Sequence, residues 1–309
     1  METVSSVPVF ARRNVAYAGA TLCCLLWGSS YPAIKSGYEL FAIATDDIPS
    51  KIVFAGYRFL FAGLLLLLFA MAQRKPIARL SPQQYGQMAI LGLTQTSIQY
   101  IFFYIGLAFT TGVKGSIMNA TGTFFSVLLA HLIYKNDRLS YNKSIGCVLG
   151  FAGVMLVNVN HSLLDFSFSM MGDGFVVLAA FILSASMLYG KRISQTVDPT
   201  VMTGWQLAFG GGVLVVGGYL TGGTLVVHSL TAAALLGYLT LLSSIAFALW
   251  SVLLKYNRVS MIAPFNFVIP VAGTVLSAIF LGENILEMKY AIALVLVCSG
   301  IWWVNKPKA

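Results

Sequence analysis

The chain has 309 residues, 58% of them hydrophobic and 9% charged, against about 25% charged in soluble domains. Nineteen Lys and Arg with ten Asp and Glu cannot cover a polar surface of that size, which excludes an ordinary soluble enzyme, a disordered chain and a collagen-like fibre. The net charge of +9 is spread in short runs between apolar stretches, not gathered on one face, so no nucleic-acid partner is expected. The lipid bilayer is the partner that the composition selects.

A helix crossing the hydrocarbon core needs about 20 mostly apolar residues. Ten such stretches follow one another at 14–35, 51–73, 84–109, 113–134, 143–159, 172–193, 199–220, 230–256, 259–282 and 288–304. Continuous runs of this length exclude a β-barrel, whose strands alternate over about 10 residues. The first span carries Trp27, Pro32 and Lys35 where a cleaved signal would have small residues. The two longer connections, near 36–50 and 158–171, contain Asp and no long basic run. The fold class expected is an all-α integral membrane protein of ten transmembrane helices.

Lys and Arg concentrate in cytoplasmic loops. With the N-terminus inside, ten spans place 14 of them inside and 4 outside, with Arg58 left within the second span, which accounts for all 19. Both termini, 1–13 and 305–309, are then expected in the cytoplasm. The sequence also repeats. The segment 133-IYKNDRL-139 aligns with 279-IFLGENI-285 at an offset of 146, and 54-FAGYRFLFAGLLLL-67 with 202-MTGWQLAFGGGVLV-215 at 148. Each half, 14–159 and 172–304, thus holds five spans. An odd number forces the second copy to enter from the opposite side, and such inverted repeats are a design of secondary transporters.

The run 27-WGSSYPAIK-35, Arg58 within 55-AGYRFLFAGLLLLL-68, and the Pro270…Gly282-Glu283 ending of the ninth span resemble the drug/metabolite transporter superfamily in its ten-helix, EamA-type branch. The resemblance covers roughly 14–304. It implies export or exchange of small metabolites across the cytoplasmic membrane without ATP, through a central cavity lined by the third and fourth helices of each half. Three features depart from the family pattern: Asn136-Asp137 in place of Gly-Glu, Phe124 at an expected Pro, and a long 36–50 connection.

No G-x-x-x-x-G-K-[ST] phosphate loop occurs. The histidines lack ligand spacing, and the four cysteines lie within spans as small apolar side chains. No metal or other cofactor is expected. Polar groups inside spans are informative because burying them unpaired is costly. Gln95 and Gln99 lie four apart, continued by Phe102 and Gly106; Ser116, Asn119, Thr123 and Ser126 form a second stripe. Ser243, Phe247 and Trp250 form a third, and Asn266, Pro270, Gly273 and Ser277 a fourth. Substrate contacts are therefore expected from Gln95, Gln99, Asn119, Thr123, Asn266 and Ser30, with Trp27, Tyr31, Trp205 and Trp250 as apolar walls. Arg58, about 10 Å along the helix from Lys51, is expected to pack or orient, to snorkel outward or pair with Asp46 or Asp47, with substrate contact as the alternative. Pro32, Pro264 and Pro270 are expected to kink their helices, Glu283 to be structural, and 210-GGG-212 to supply give.

The reading is a secondary transporter of small organic metabolites, such as amino acids or related amphipathic solutes, working as a monomer or homodimer by alternating access. Nucleosides, sugars and drug-like solutes are the alternative cargo. A lipid-modifying membrane enzyme is the alternative from another class, and it needs an interfacial cluster of His, Asp, Glu or Cys that the sequence does not offer.

Overall fold

The computed structural model describes residues 8–110, 115, 118–157, 168–281 and 288–306. Among the described residues no strand occurs, and ten helical stretches follow in order. They are α1 (Arg13–Leu40), α2 (Ile48–Ala72), α3 (Pro82–Ala108), α4 (Gly122–Ile133), α5 (Tyr141–Val157), α6 (Met170–Ile193), α7 (Pro199–Leu220) and α8 (Leu230–Tyr256). The ninth, α9, runs through Val259–Ile262, Ala263–Phe267 and Val268–Leu281, and α10 is Met288–Val304.

Five of these, α2, α3, α6, α7 and α8, are long and apolar enough to cross a membrane, and shorter apolar helices span Met118–Ile133, Val259–Gly273 and Ala291–Val304. α1 extends five residues beyond its expected end, so the first long connection shrinks to a short turn before α2.

Local chemistry sets the helix ends. Asp47 caps α2 through Ser50 N at 3.0 Å. Ser81 and Gln84 form a reciprocal capping box at α3, Asp198 accepts from Thr200 N at 2.9 Å at α7, and Ser229 caps α8. Each satisfies an amide that the first turn leaves unpaired.

The packing shows the repeat. α2 lies along α7, and α5 along α10. α1 packs on α8 and α9; its counterpart α6 packs on α3 and α4. Exchanging the halves maps these contacts onto one another. Glycines permit the close pairs: a Cβ at Gly63 would sit 2.2 Å from Ala208 N, and one at Gly300 would sit 2.6 Å from Gly146 O. Close approach through small residues is how helices bind one another where lipid removes the hydrophobic drive.

The triple glycine of α7 serves the same purpose. A Cβ at Gly210 would meet Gly92 O at 2.5 Å, and one at Gly211 would meet Leu60 N at 2.3 Å. Gly210 and Gly211 are contact points, and of the three Gly212 alone faces open space.

Both repeat-related helices also end alike. After α2, Arg74 takes φ 58°, Arg74 N bonds Met71 O, and Lys75 N bonds Ala70 O. After α7, Gly222 takes φ 93°, Gly222 N bonds Tyr219 O, and Gly223 N bonds Gly218 O. The left-handed residue and its paired bonds form a Schellman stop.

Candidate functional site

A cavity of about 350 Å³ lies between the halves, within the range of small-molecule sites. It draws on α1, α2, α3, α4, α6, α8 and α9, so the first helix of each half joins the third and fourth.

The α1 wall begins at the 27-WGSS segment. A Cβ at Gly28 would meet Ala272 Cβ at 2.8 Å, so glycine there lets α1 cross α9. Trp27 packs edge-on against Phe247 and Trp250, with centroids 5.4 and 5.1 Å away. Ser30 Oγ donates to Trp27 O at 2.7 Å, which satisfies a hydroxyl in the helix. Tyr31, Ile34, Lys35 and Tyr38 continue the lining. Positions 27, 31, 34 and 38 form one stripe at helical spacing, a signal that sequence reading left unused beyond Tyr31.

On α3 the expected stripe is displaced. Gln99 lines the cavity with Tyr100, Phe103, Tyr104 and Leu107. Gln95 does not: it is buried, and its Oε1 is 3.9 Å from where a Gly190 Cβ would be. Phe102 packs edge-on against Phe175 at 5.1 Å, and Gly106 lies against Gly172 and Val176. The Gln95–Phe102–Gly106 face is thus the contact with α6. Residues Gly92–Ile98 form a π-helical segment, whose i→i+5 bonding shifts the angular register assumed for an unbroken α-helix.

Asn119 and Thr123 line the cavity from the α4 side, joined by Ser126; Asn266 and Pro270 line it from α9. Ser116 and Glu283 lie outside the described residues, as does the side chain of Ser277. Gly273 packs on Tyr31. Pro32 is buried inside an α1 that continues through it, and Pro264 sits in the 3₁₀ segment of α9.

Two expected aromatic walls lie elsewhere. Trp205 Nε1 donates to Ile77 O at 3.1 Å, and its ring meets Tyr85 edge-on at 5.4 Å; it anchors the turn after α2. Trp250 is buried behind Trp27. Both rings lie in spans, but on faces that a helical pattern alone does not distinguish.

Arg58 lines the cavity at 3% exposure. Its Nε donates to Ser243 Oγ at 2.6 Å, and its guanidinium lies 5.1 Å from the Phe59 ring centre. The expected pairing with Asp46 or Asp47 does not form: Asp47 caps α2, and among the described residues the ion pairs are Lys75–Asp198 and Lys143–Asp137.

Three of the residues that line this cavity carry an unsatisfied side-chain oxygen. Gln99 Oε1, Thr123 Oγ1 and Asn266 Oδ1 are buried with no hydrogen-bond partner among the described residues, although buried polar groups are ordinarily paired. Polar residues of three helices thus line one space, beside aromatic rings and a cation.

At the end of the bundle where α1 begins and α10 ends, Asp137, Lys191 and Asn257 border a second cavity of about 490 Å³. Asp137, 2% exposed, accepts from Lys143 Nζ at 2.7 Å and from Ser260 N at 3.0 Å, and also binds Ser260 Oγ. Burial acts to raise its pKa, but the bonds from Lys143 and Ser260 and the Lys143 charge together hold it below the ordinary carboxylate range. Lys191 Nζ donates to Asn257 O at 2.5 Å and to Leu254 O. The Asp137–Ser260 bonds join the first half to α9 of the second, and the Lys191 bonds tie α6 to the end of α8 within the second half.

Two interlocked five-helix halves around a polar and aromatic cavity define a membrane transporter of the inverted-repeat class. The sequence profile of the EamA-like transporter family matches residues 14–159 and again 170–306, and the chain belongs to that family. A Salmonella typhimurium protein named a probable amino-acid metabolite efflux pump is 26% identical over 296 residues, covering 92% of each chain. An Archaeoglobus fulgidus protein named an uncharacterized transporter is 26% identical over 268 residues, covering 85% of this chain and 88% of its own. A solved crystal structure superposes with a TM-score of 0.78 at 18% identity, covering 94% of this chain and 96% of the other; it shares the fold.

Proposed function

We propose that the chain is a secondary transporter that exports or exchanges small organic metabolites, amino acids or related amphipathic solutes, across the cytoplasmic membrane. Both termini face the cytoplasm, and rocking of one half against the other exposes the site alternately. The observation that carries this reading is a cavity walled by Trp27 and Tyr31 and lined by Gln99, Thr123 and Asn266, whose buried side-chain oxygens are unpaired among the described residues. Such a surface recognises a solute with hydrogen-bond donors and an apolar body. The name of the Salmonella relative agrees with amino-acid cargo.

Uptake of radiolabelled amino acids, nucleosides and sugars into proteoliposomes without ATP tests it. Saturable counterflow of amino acids is expected. Replacing Gln99 and Asn266 together with Leu is expected to weaken binding by about 10-fold or more while leaving the thermal midpoint unchanged or raised. Failure of the whole panel to move overturns the reading.

A further inference from the structure

The repeat supplies a control for Arg58. The offset of 148 pairs Arg58 on α2 with Gln206 on α7. Gln206 Nε2 donates to Thr96 Oγ1 of α3 at 3.2 Å, both residues being buried. Arg58 Nε donates to Ser243 Oγ of α8 at 2.6 Å, and α8 is the repeat counterpart of α3. Arg Nε and Gln Nε2 stand the same number of bonds from the backbone. Each position therefore donates to a hydroxyl on the third helix of the opposite half, once through a neutral amide, although Ser243 and Thr96 are not at matching repeat positions. Packing does not require a charge at this position.

The charge remains to be explained. Arginine stays protonated in proteins, and a buried charge without a counter-ion is expensive. Arg58 is buried, faces the cavity, and among the described residues has no carboxylate within ion-pair range. Lys35 also lines the cavity, and no Asp or Glu does. With Nε held by Ser243, the terminal nitrogens keep the forked geometry that binds an oxyanion through two parallel bonds.

We infer that Arg58 anchors an oxyanion, so that the transported solutes are small organic anions or zwitterions carrying a carboxylate or phosphate. The oxyanion lies at Arg58, and the solute's donors reach Gln99 and Asn266. This rests on the transporter reading above.

Matched solute pairs test it on the intact protein in phosphatidylcholine nanodiscs, with tryptophan fluorescence and thermal shift as binding readouts. The pairs are N-acetyl-L-leucine and N-acetyl-L-leucinamide, 4-methylpentanoate and its methyl ester, and glycerol 3-phosphate and glycerol. The charged member of the carboxylate or the phosphate pairs is expected to bind on the order of 10- to 100-fold more tightly; which pairs respond distinguishes the two oxyanions. Arg58→Gln is expected to erase the preference without lowering the thermal midpoint, and Arg58→Lys to keep part of it. Equal binding of charged and neutral members by the unmodified protein, or no binding by any, overturns the inference, and so does a preference that survives Arg58→Gln. Flux is read separately in proteoliposomes. A charge preference without flux removes the transport reading and keeps the oxyanion site; equal flux of both members keeps transport and removes the site.

Discussion

Arg58 and Gln206 occupy equivalent places in the two halves and each donates to a hydroxyl on the third helix of the opposite half, yet one carries a charge and the other does not. A second contrast sharpens the first. At the other end of the bundle Asp137 is as buried as Arg58 and also borders a cavity, but it is held by Lys143 and Ser260. A buried charge with its partners present serves the fold, whereas a buried charge that faces a cavity without them is matched to something that enters. Where the halves agree, the side chains report what packing demands; where they differ, they report what the site adds.

The largest disruption is expected where the halves must agree. Gly63→Leu places a branched side chain where even a Cβ would sit 2.2 Å from Ala208 N, so α2 and α7 separate and folded protein recovered in size-exclusion chromatography is expected to fall sharply. Gly212→Ala, facing open space on α7, is the matching change expected to leave recovery unaltered. Equal recovery of the two variants would contradict the packing of α2 on α7.

Next comes the paired charge. Asp137→Asn removes one partner of a buried ion pair and is expected to cost about 3–5 kcal/mol, read as a lower thermal midpoint. Because the folded-state pKa of Asp137 is depressed, its contribution is complete above the ordinary carboxylate pKa and is lost as the pH falls through the depressed value. The midpoint of the unmodified protein is therefore expected to fall on acidification by more than that of Asp137→Asn. Parallel pH profiles would break the contrast between Asp137 and Arg58.

A smaller effect tests the neutral member of the pair. Gln206→Leu leaves Thr96 without its donor and is expected to cost about 1–3 kcal/mol, with solute selectivity unchanged. A change in selectivity with stability intact would reverse the roles assigned to the two positions. The smallest effect lies at the helix ends: Arg74→Gly gives the α2 stop the residue that its counterpart Gly222 already has. A stabilisation below about 1 kcal/mol is expected from relief of the left-handed conformation, measured by thermal unfolding; destabilisation would mean that the Arg74 side chain contributes more than the backbone loses.

The number and order of the helices were legible because spans in lipid must be long and apolar, and hydropathy records that directly. The repeat was legible from offsets. Seven of the ten proposed substrate contacts, Trp27, Ser30, Tyr31, Gln99, Asn119, Thr123 and Asn266, line the cavity. Gln95 was misplaced because the π-helical segment at Gly92–Ile98 breaks the register that its spacing to Gln99 presumed. Trp205 was misplaced because its partner, the Ile77 carbonyl, belongs to a turn 128 residues earlier. A still longer distance in sequence hid the Ser243 partner of Arg58, 185 residues away. Periodicity gives the face of a helix, but which neighbour that face meets is a tertiary fact.

A structure determined with a bound solute tests the central claim most directly. The solute's oxyanion is expected within about 3 Å of the Arg58 guanidinium, with its donors on Gln99, Thr123 or Asn266. Solute bound instead at the Asp137–Lys191 end of the bundle, with Arg58 untouched, would contradict the account.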